Sequence, residues 1–169
     1  EACVRVARLA FEFRQAFTSN PWLQYGVLLN WSPFDQSKGG SELIDTTPGT
    51  PLGRTDAALV VGRTFSDRQA GVHITPVARG ATGTNIWMDV QVDLGAFPDN
   101  QPPVLQMEVM PTNAAPSALV HFHATASDPD GDTLAYAWTF DDGTFSTNNL
   151  PWTFKSFSAG EHVVRCVVS

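Results

Sequence analysis

The stretch that most constrains the fold is residues 127–143, SDPDGDTLAYAWTFDDG, where large apolar side chains recur at every second position. These side chains are Leu134, Tyr136, Trp138 and Phe140. Alternate side chains of an extended chain leave the same face, so the pattern predicts one buried face of a β-strand. Burying each such side chain contributes roughly 1.5–3 kcal/mol, which makes this face the predicted anchor of a small core. The opposite face is small, as expected where a neighbouring element or solvent lies close.

An acidic turn precedes this strand. Asp128, Asp130 and Asp132 place three carboxylates within five residues, around a proline and a glycine and with no basic residue nearby. Two carboxylates about 6 Å apart near a protein surface repel each other by roughly 2–3 kcal/mol. Calcium accepts oxygen ligands in flexible geometry and would remove that repulsion. The alternative is a solvated turn that needs no metal, and the residues alone leave both interpretations open.

Three spaced segments together resemble the polycystic kidney disease (PKD) domain family. They are DPDGD at 128–132, YAWTFDDG at 136–143 and FSAGEHVVRCVV at 157–168, with Asp141 where the family has glycine. The resemblance covers about residues 100–169. It implies an immunoglobulin-like β-sandwich that serves as an extracellular spacer or binding module. It also implies a weak calcium site formed by Asn100, Asp128 and Asp130, to which the acidic turn adds Asp132 as a candidate ligand.

Composition and charge exclude several classes of function. The chain has 169 residues, of which 43% are hydrophobic, enough for one large or two small domains. Its formal charge is −7, and residues 101–169 carry seven acidic but only two basic side chains. Without a basic patch, no nucleic-acid partner is expected, and no apolar run is long enough to predict a membrane span. No secretory signal is recognisable, and both ends look cut from a longer protein, so we expect a fragment or processed product.

The two cysteines stand near opposite ends of the chain, at Cys3 and Cys166. A disulfide requires Cα atoms within about 7 Å, and these residues fall in different predicted domains. Cys166 alternates with apolar residues, which favours a buried thiol in the last strand. The sequence leaves the oxidation state of both cysteines undecided.

The rest of the chain predicts an all-β fold with two tandem β-sandwich domains. The predicted units are a jelly-roll-like domain at residues 1–99, a Pro-rich linker at 100–103 and an immunoglobulin-like PKD domain at 104–169. Strands are predicted at 4–14, with a bulge, and at 25–31, 41–45, 57–62, 71–77, 84–94, 104–110, 118–126, 134–140, 152–157 and 161–168. Prolines and glycines at 46–55 predict no regular structure there. Pro102 and Pro103 stiffen the linker, which predicts a nearly fixed orientation between the domains.

Residues 1–99 have a resemblance of their own. FEFR at 11–14, GVLLNW at 26–31, LIDTTP at 43–48, ALVVGRTFSD at 58–67 and GVHI at 71–74 are similar to a secreted β-domain family. That family is the β-domain after the catalytic domain of gametolysin-like and immune-inhibitor-like zinc metallopeptidases. The resemblance implies that this chain lies downstream of a protease domain.

The sequence lacks several common catalytic motifs. The zinc-protease motif His-Glu-x-x-His does not occur, and neither does Gly-x-Ser-x-Gly or a phosphate-binding loop. His121 and His123 share a strand face, but Val120, Phe122 and Ala124 form the opposite, core face, which predicts that both histidines lie in solvent. The sequence therefore predicts no enzymatic activity in this chain. Four tryptophans are candidates for a binding row: Trp22, Trp31, Trp87 and Trp152.

We expect a non-catalytic, extracellular spacer or binding region of a larger secreted or cell-surface protein. The resemblance of residues 1–99 implies that this larger protein is a metallopeptidase. Its partner would be an extracellular protein or polysaccharide. The alternative is a structural subunit of an extracellular filament or surface assembly, in which copies of the chain join through β-strand edges.

Overall fold

The protein is built almost entirely from antiparallel strands. The computed structural model describes residues 7–14, 19–33 and 40–169. Strands hold 47% of the residues and helices 5%, so the predicted all-β class is confirmed. Within the described residues, no helix has the length and apolar character needed to cross a membrane.

The first half of the chain forms two facing antiparallel sheets. Its strands are β1 Ala7–Glu12, β2 Gly26–Pro33, β3 Glu42–Leu43, β4 Leu59–Val60, β5 Phe65–Asp67, β6 Val72–Thr82 and β7 Asn85–Leu94. One sheet has the order β1-β2-β3 with β4 also paired to β2, and the other has the order β5-β6-β7. Between them lies a core in which Val27, Leu29, Leu59 and Ile74 are almost fully buried. The predicted strand at 57–62 is shorter than expected, because β4 spans only two residues.

Three short elements were not predicted. Helix α1, Pro21–Gln24, begins where Asn20 accepts a hydrogen bond from the Trp22 amide, and proline stands at its first position. A 3-10 helix, Gly53–Asp56, lies partly in the stretch predicted to be irregular. That prediction was wrong at its end, because Gly53 adopts a φ of 54° that starts a tight turn without steric cost. Strand β5 was missed because three residues are too few to show a period.

The second half forms a smaller sandwich. Its strands are β8 Val104–Met110, β9 Leu119–Ser127, β10 Tyr136–Phe140, β11 Trp152–Ser156 and β12 Val164–Val168. One sheet has the order β11-β9-β8 and the other pairs β10 with β12. The predicted anchor is confirmed, since Trp138 is completely buried between the sheets and its indole nitrogen donates a hydrogen bond to the Leu150 carbonyl at 3.0 Å. Phe122 and Phe140 pack in the same cluster.

The two halves touch along β10. At Gly62, with a φ of 86°, the backbone lies so close to the Tyr136 carbonyl that a Cβ atom would overlap it. Phe145 packs its ring on Trp22 with centroids 4.3 Å apart, in a cluster with Leu28 and Val60 on the outer side of the first sandwich. These contacts explain why the small face of β10 is also buried, including Ala137. The division of the chain at residues 99 and 103 stays a prediction.

Candidate functional site

The acidic turn is held by its own carboxylates. One oxygen of Asp128 accepts hydrogen bonds from the amides of Asp130, at 2.8 Å, and Asp132, at 3.3 Å. Gly131, with a φ of 82°, supplies the left-handed conformation on which the turn depends. A carboxylate oxygen of Asp130 accepts a hydrogen bond of 2.7 Å from the Gln101 amide, which ties the turn to the segment before β8. The structure therefore places Asp130 beside Gln101, the residue that follows Asn100.

The residues of the acidic turn, together with Asn100, are the predicted calcium ligands. Their oxygens are hard ligands of the kind that calcium prefers, and the Asn100 side-chain nitrogen donates a hydrogen bond to the Gln101 carbonyl at 3.3 Å. Across residues 7–14, 19–33 and 40–169, however, no group of three or more His, Cys, Asp or Glu side chains is placed to hold a metal ion. The hydrogen bonds within the turn are those of a solvated Asx turn. Calcium binding at Asn100, Asp128, Asp130 and Asp132 stays a prediction.

A second candidate lies on the outer face of the β11-β9-β8 sheet. Trp152 and Phe154 of β11 project from this face, 41% and 47% exposed, with ring centroids 5.4 Å apart in an edge-to-face arrangement. The β9–β11 register sets Trp152 opposite His123 and Phe154 opposite His121. Exposed apolar side chains flank the rings. We call this surface the outer face; it comprises Met110, Leu119, His121, His123, Trp152 and Phe154.

The histidines of the outer face differ from expectation. His121 and His123 are half-buried rather than free in solvent, because neighbouring aromatic side chains cover them. The His121 ring stacks on Phe154 with centroids 4.6 Å apart and an angle of 23° between the planes. Strand alternation correctly predicted which side of β9 they occupy, but it contains no information about β11, which runs beside them. The inner side is as predicted, since Val120, Phe122 and Ala124 are buried.

The other candidate tryptophans separate into different roles. Trp22 is buried at the contact between the halves. Trp87 lies over Gly80 of the adjacent strand, where its ring occupies the place that a side chain at Gly80 would take. Trp31 is exposed on β2, far along the chain from the outer face. The four tryptophans therefore do not form one row, and only Trp152 belongs to the outer face.

Two acidic residues after β10 have side-chain partners, a lysine and a histidine, that the sequence did not reveal. Lys155 donates to Asp142 at 2.6 Å and to the Thr144 hydroxyl at 2.7 Å. Partial burial acts to raise the Asp142 pKa, but hydrogen bonds from Lys155 and Thr144 outweigh it and lower the pKa to about 2. Asp141, where the PKD pattern has glycine, lies 3.0 Å from Nδ1 of His162. Both pairs join residues more than ten positions apart, so no local pattern could predict them.

Cys166 lies in β12 with a half-buried thiol that forms no disulfide with another described residue. Burial raises its pKa to about 11, which keeps the thiol protonated and unsuited to nucleophilic attack near neutral pH. The thiol lies in the last strand as predicted, but it is half-buried rather than buried. Cys3 lies outside the described residues, so its pairing with Cys166 stays untested.

The LIDTTP motif of the first half has a structural role. Asp45 accepts hydrogen bonds from the amide and hydroxyl of Thr47, at 2.9 and 3.2 Å. Thr47 in turn donates to the Asp56 carbonyl, and Arg63 donates to the Thr46 carbonyl. Burial lowers the Arg63 pKa, partly offset by the charges of Asp56 and Asp45. These hydrogen bonds therefore hold the long loop between β3 and β4 against the first sandwich.

Comparison with protein-family models gives a match for the second half of the chain. Residues 104–169 match the family model described as the PKD domain. No curated protein and no solved structure matches the chain. The PKD part of the resemblance is confirmed, and the resemblance of residues 1–99 to a metallopeptidase β-domain stays a prediction.

Proposed function

Given that residues 104–169 form a PKD domain, we propose that this chain is a non-catalytic spacer and binding region of an extracellular protein. PKD domains are non-catalytic and typically act outside the cell as adhesion or spacer modules. The observation that carries the binding role is the outer face, where an exposed tryptophan and phenylalanine lie side by side on an open sheet.

The chemistry of the outer face favours a protein partner over a polysaccharide. Protein interfaces are enriched in tryptophan, phenylalanine and methionine, and the face combines Trp152 and Phe154 with the exposed apolar side chains of Met110 and Leu119. A sugar ring stacks on an aromatic ring but gains little from aliphatic neighbours. The open sheet suits an extended partner such as collagen, which could lie across the strands.

The contact between the halves supports the spacer role. Gly62 packs backbone to backbone on Tyr136, the Phe145 ring packs on Trp22, and the Thr64 and Ser169 hydroxyls lie 2.7 Å apart. Rigid side chains and close backbones on both sides resist rotation about the linker. The outer face would then keep a fixed direction relative to residues 1–99.

Retention assays test the binding role. Immobilised fibrillar collagen serves as the protein probe and insoluble cellulose as the polysaccharide probe. The double variant Trp152→Ser with Phe154→Ser removes the aromatic pair, and Trp31→Ser is the matched control because Trp31 is equally exposed but lies on β2.

We expect collagen to retain the wild type and the Trp31 variant. Loss of a central aromatic anchor costs about 2 kcal/mol or more, so the double variant should bind roughly 30-fold more weakly. Equal retention of the double variant would contradict the proposal. Retention on cellulose but not on collagen would indicate that the partner is a polysaccharide rather than a protein.

We further propose that the chain follows the catalytic domain of a secreted zinc metallopeptidase. The support is the LIDTTP motif, whose residues make the loop-fixing hydrogen bonds described above. Intact mass and terminal sequencing of the native protein test this parentage. A His-Glu-x-x-His motif in the residues before Glu1 is the expected result, and an upstream sequence of another class would refute it.

A further inference from the structure

Trp87 of β7 lies across a glycine of the neighbouring strand. The β6–β7 register sets it directly opposite Gly80. The ring atoms Cε2 and Cη2 of Trp87 lie 2.6 and 2.9 Å from the position that a Cβ atom at Gly80 would take, and Cζ2, between them, is nearer still. Three adjacent atoms of one ring at such similar distances place that position over the face of the ring rather than beyond its edge. The indole therefore rests with one face on the sheet.

This contact makes the indole a fixed platform. An aromatic side chain that covers a cross-strand glycine supplies the packing that the glycine lacks, and the glycine in turn holds the ring in one orientation. Trp87 is nevertheless 41% exposed. Because one face of its ring rests on the sheet, the opposite face is the one open to a ligand. A ring that is already held in place loses little conformational entropy when a ligand covers it.

Polar side chains continue the same side of β7. Met88 and Val90 pack on the core of the first sandwich, so the odd-numbered residues of the strand lie on the opposite side. We call this set the β7 row; it comprises Trp87, Asp89, Gln91 and Asp93. From its first residue to its last, the β7 row spans about 20 Å, at about 3.3 Å per residue. The Gln91 amide donates to a carboxylate oxygen of Asp93 at 2.9 Å, which fixes both side chains.

The chemistry of the β7 row suits a neutral sugar. The C–H face of a sugar ring packs on an indole, and its hydroxyls donate to carboxylates such as those of Asp89 and Asp93. Among the described residues of β6 and β7, the side that carries Trp87 has no lysine or arginine. The two carboxylates therefore repel an anionic ligand and have no basic neighbour there to offset that repulsion.

We propose that the β7 row binds a neutral polysaccharide with an extended backbone, namely a β-linked glucan of the cellulose type. A straight row matches a straight ligand, and the links of such a glucan keep successive sugar rings in a flat ribbon. One ring packs on Trp87 while the hydroxyls of the next rings reach the carboxylates along the strand. This site is separate from the outer face, which belongs to β8, β9 and β11, and it does not depend on the protein-binding role proposed there.

Affinity electrophoresis in native gels tests the proposal. Gels containing hydroxyethyl cellulose, a soluble neutral glucan, should retard the wild type, whereas gels containing alginate, an extended but anionic polysaccharide, should not. Trp87→Ser should weaken binding to the glucan roughly tenfold or more, because it removes the apolar surface that the sugar covers. No retardation of the wild type by the neutral glucan, or unchanged binding by Trp87→Ser, would overturn the proposal.

Two control variants separate this site from the other exposed aromatic side chains. Trp31→Ser is the matched control, since Trp31 is 42% exposed but lies on β2. The double variant Trp152→Ser with Phe154→Ser removes the aromatic pair of the outer face. Both should bind the glucan like the wild type. Loss of glucan binding in either control, with Trp87→Ser unaffected, would move the sugar site away from β7.

Gly80→Ala gives the sharpest test, because it keeps the indole and removes its seat. Gly80 is not among the glycines with positive φ, so alanine strains no backbone there, but its methyl group must displace the Trp87 ring. The variant should therefore weaken glucan binding nearly as much as Trp87→Ser does. Wild-type affinity in Gly80→Ala would show that the platform is not what binds the sugar.

The indole N–H resonances of the wild type provide a second measurement, which needs no substitution. Cellohexaose, a soluble fragment of cellulose, should shift the Trp87 resonance. The resonances of the buried Trp22 and Trp138 should stay in place and report that both halves remain folded. Shifts at Trp31 or Trp152 instead of Trp87 would refute the assignment.

Added salt distinguishes a sugar from a cationic peptide, which the two carboxylates could also attract. Binding of the neutral glucan pairs no charges, so salt should leave it unchanged, whereas an exposed ion pair is screened. Oligolysine is the probe for the alternative. Binding of oligolysine that salt abolishes, together with no binding of the glucan, would replace the polysaccharide with a basic peptide and overturn the proposal.

Discussion

Gly62 sets how closely the two halves approach, so replacing it tests the contact between them. The residue has a φ of 86°, and a Cβ atom there would overlap the backbone of Tyr136. The left-handed conformation costs an L-residue about 1–2 kcal/mol. Forcing an extra methyl group into a packed contact costs about 1–3 kcal/mol more. Gly62→Ala should therefore destabilise the protein by about 2–5 kcal/mol.

Gly49→Ala separates the two contributions. Gly49 has a φ of 89°, nearly the same as Gly62, but nothing lies within 4 Å of the place a Cβ atom would take. Its substitution should cost only the conformational term of about 1–2 kcal/mol. Urea unfolding followed by tryptophan fluorescence measures both variants. Equal losses of stability in the two would refute the close approach of Gly62 to Tyr136.

Three further predictions concern the PKD domain. Trp138→Ala should destabilise it by about 3–5 kcal/mol, and an unchanged thermal melt would contradict the core assignment. Because the Asp142 pKa is depressed from 3.8 to about 2, its stabilising contribution is present above pH 4 and lost as the pH falls toward 2. Carboxyl NMR titration should show that pKa, with Lys155→Met moving it upward; a pKa that Lys155→Met leaves unchanged would rule out the pair. For the proposed calcium site, millimolar calcium should raise the melting temperature of the wild type but not of Asp130→Asn. No shift in the wild type relative to chelator would leave only the Asx turn.

The PKD core was predictable because its signal is local. Four apolar residues at every second position define a strand face whatever lies opposite, and Trp138 and Phe140 are buried as that rule requires. The strand itself begins at Tyr136 rather than Leu134, since the backbone before it is still leaving the acidic turn. The ends of a strand depend on the adjacent turns, so an alternating pattern predicts them less well than it predicts the strand itself.

The contact between the halves involves residues that the sequence did not single out. The sequence predicted a fixed orientation from Pro102 and Pro103, whereas the structure shows packing at Gly62, Phe145 and Trp22. Phe145 stands outside any alternating run, and one glycine among thirteen has no distinguishing pattern. Interface residues acquire their role only when two distant segments meet, so a single sequence contains no signal for them.

The candidate sites also differ in whether short-range sequence patterns predict them. The acidic turn and the side of β9 that carries the histidines follow from short-range rules. The outer face depends on the β9–β11 register, which brings Phe154 to His121 across 33 positions of sequence, and a pattern within one strand cannot give that register.

Small-angle X-ray scattering of the intact chain tests the central claim most directly, namely that the two halves form one rigid unit presenting the outer face in a fixed direction. The account predicts a distance distribution for the monomer that matches the packed halves and broadens in Gly62→Ala, where the contact is forced open. A wild-type distribution that is already broad, and that Gly62→Ala leaves unchanged, would contradict the account.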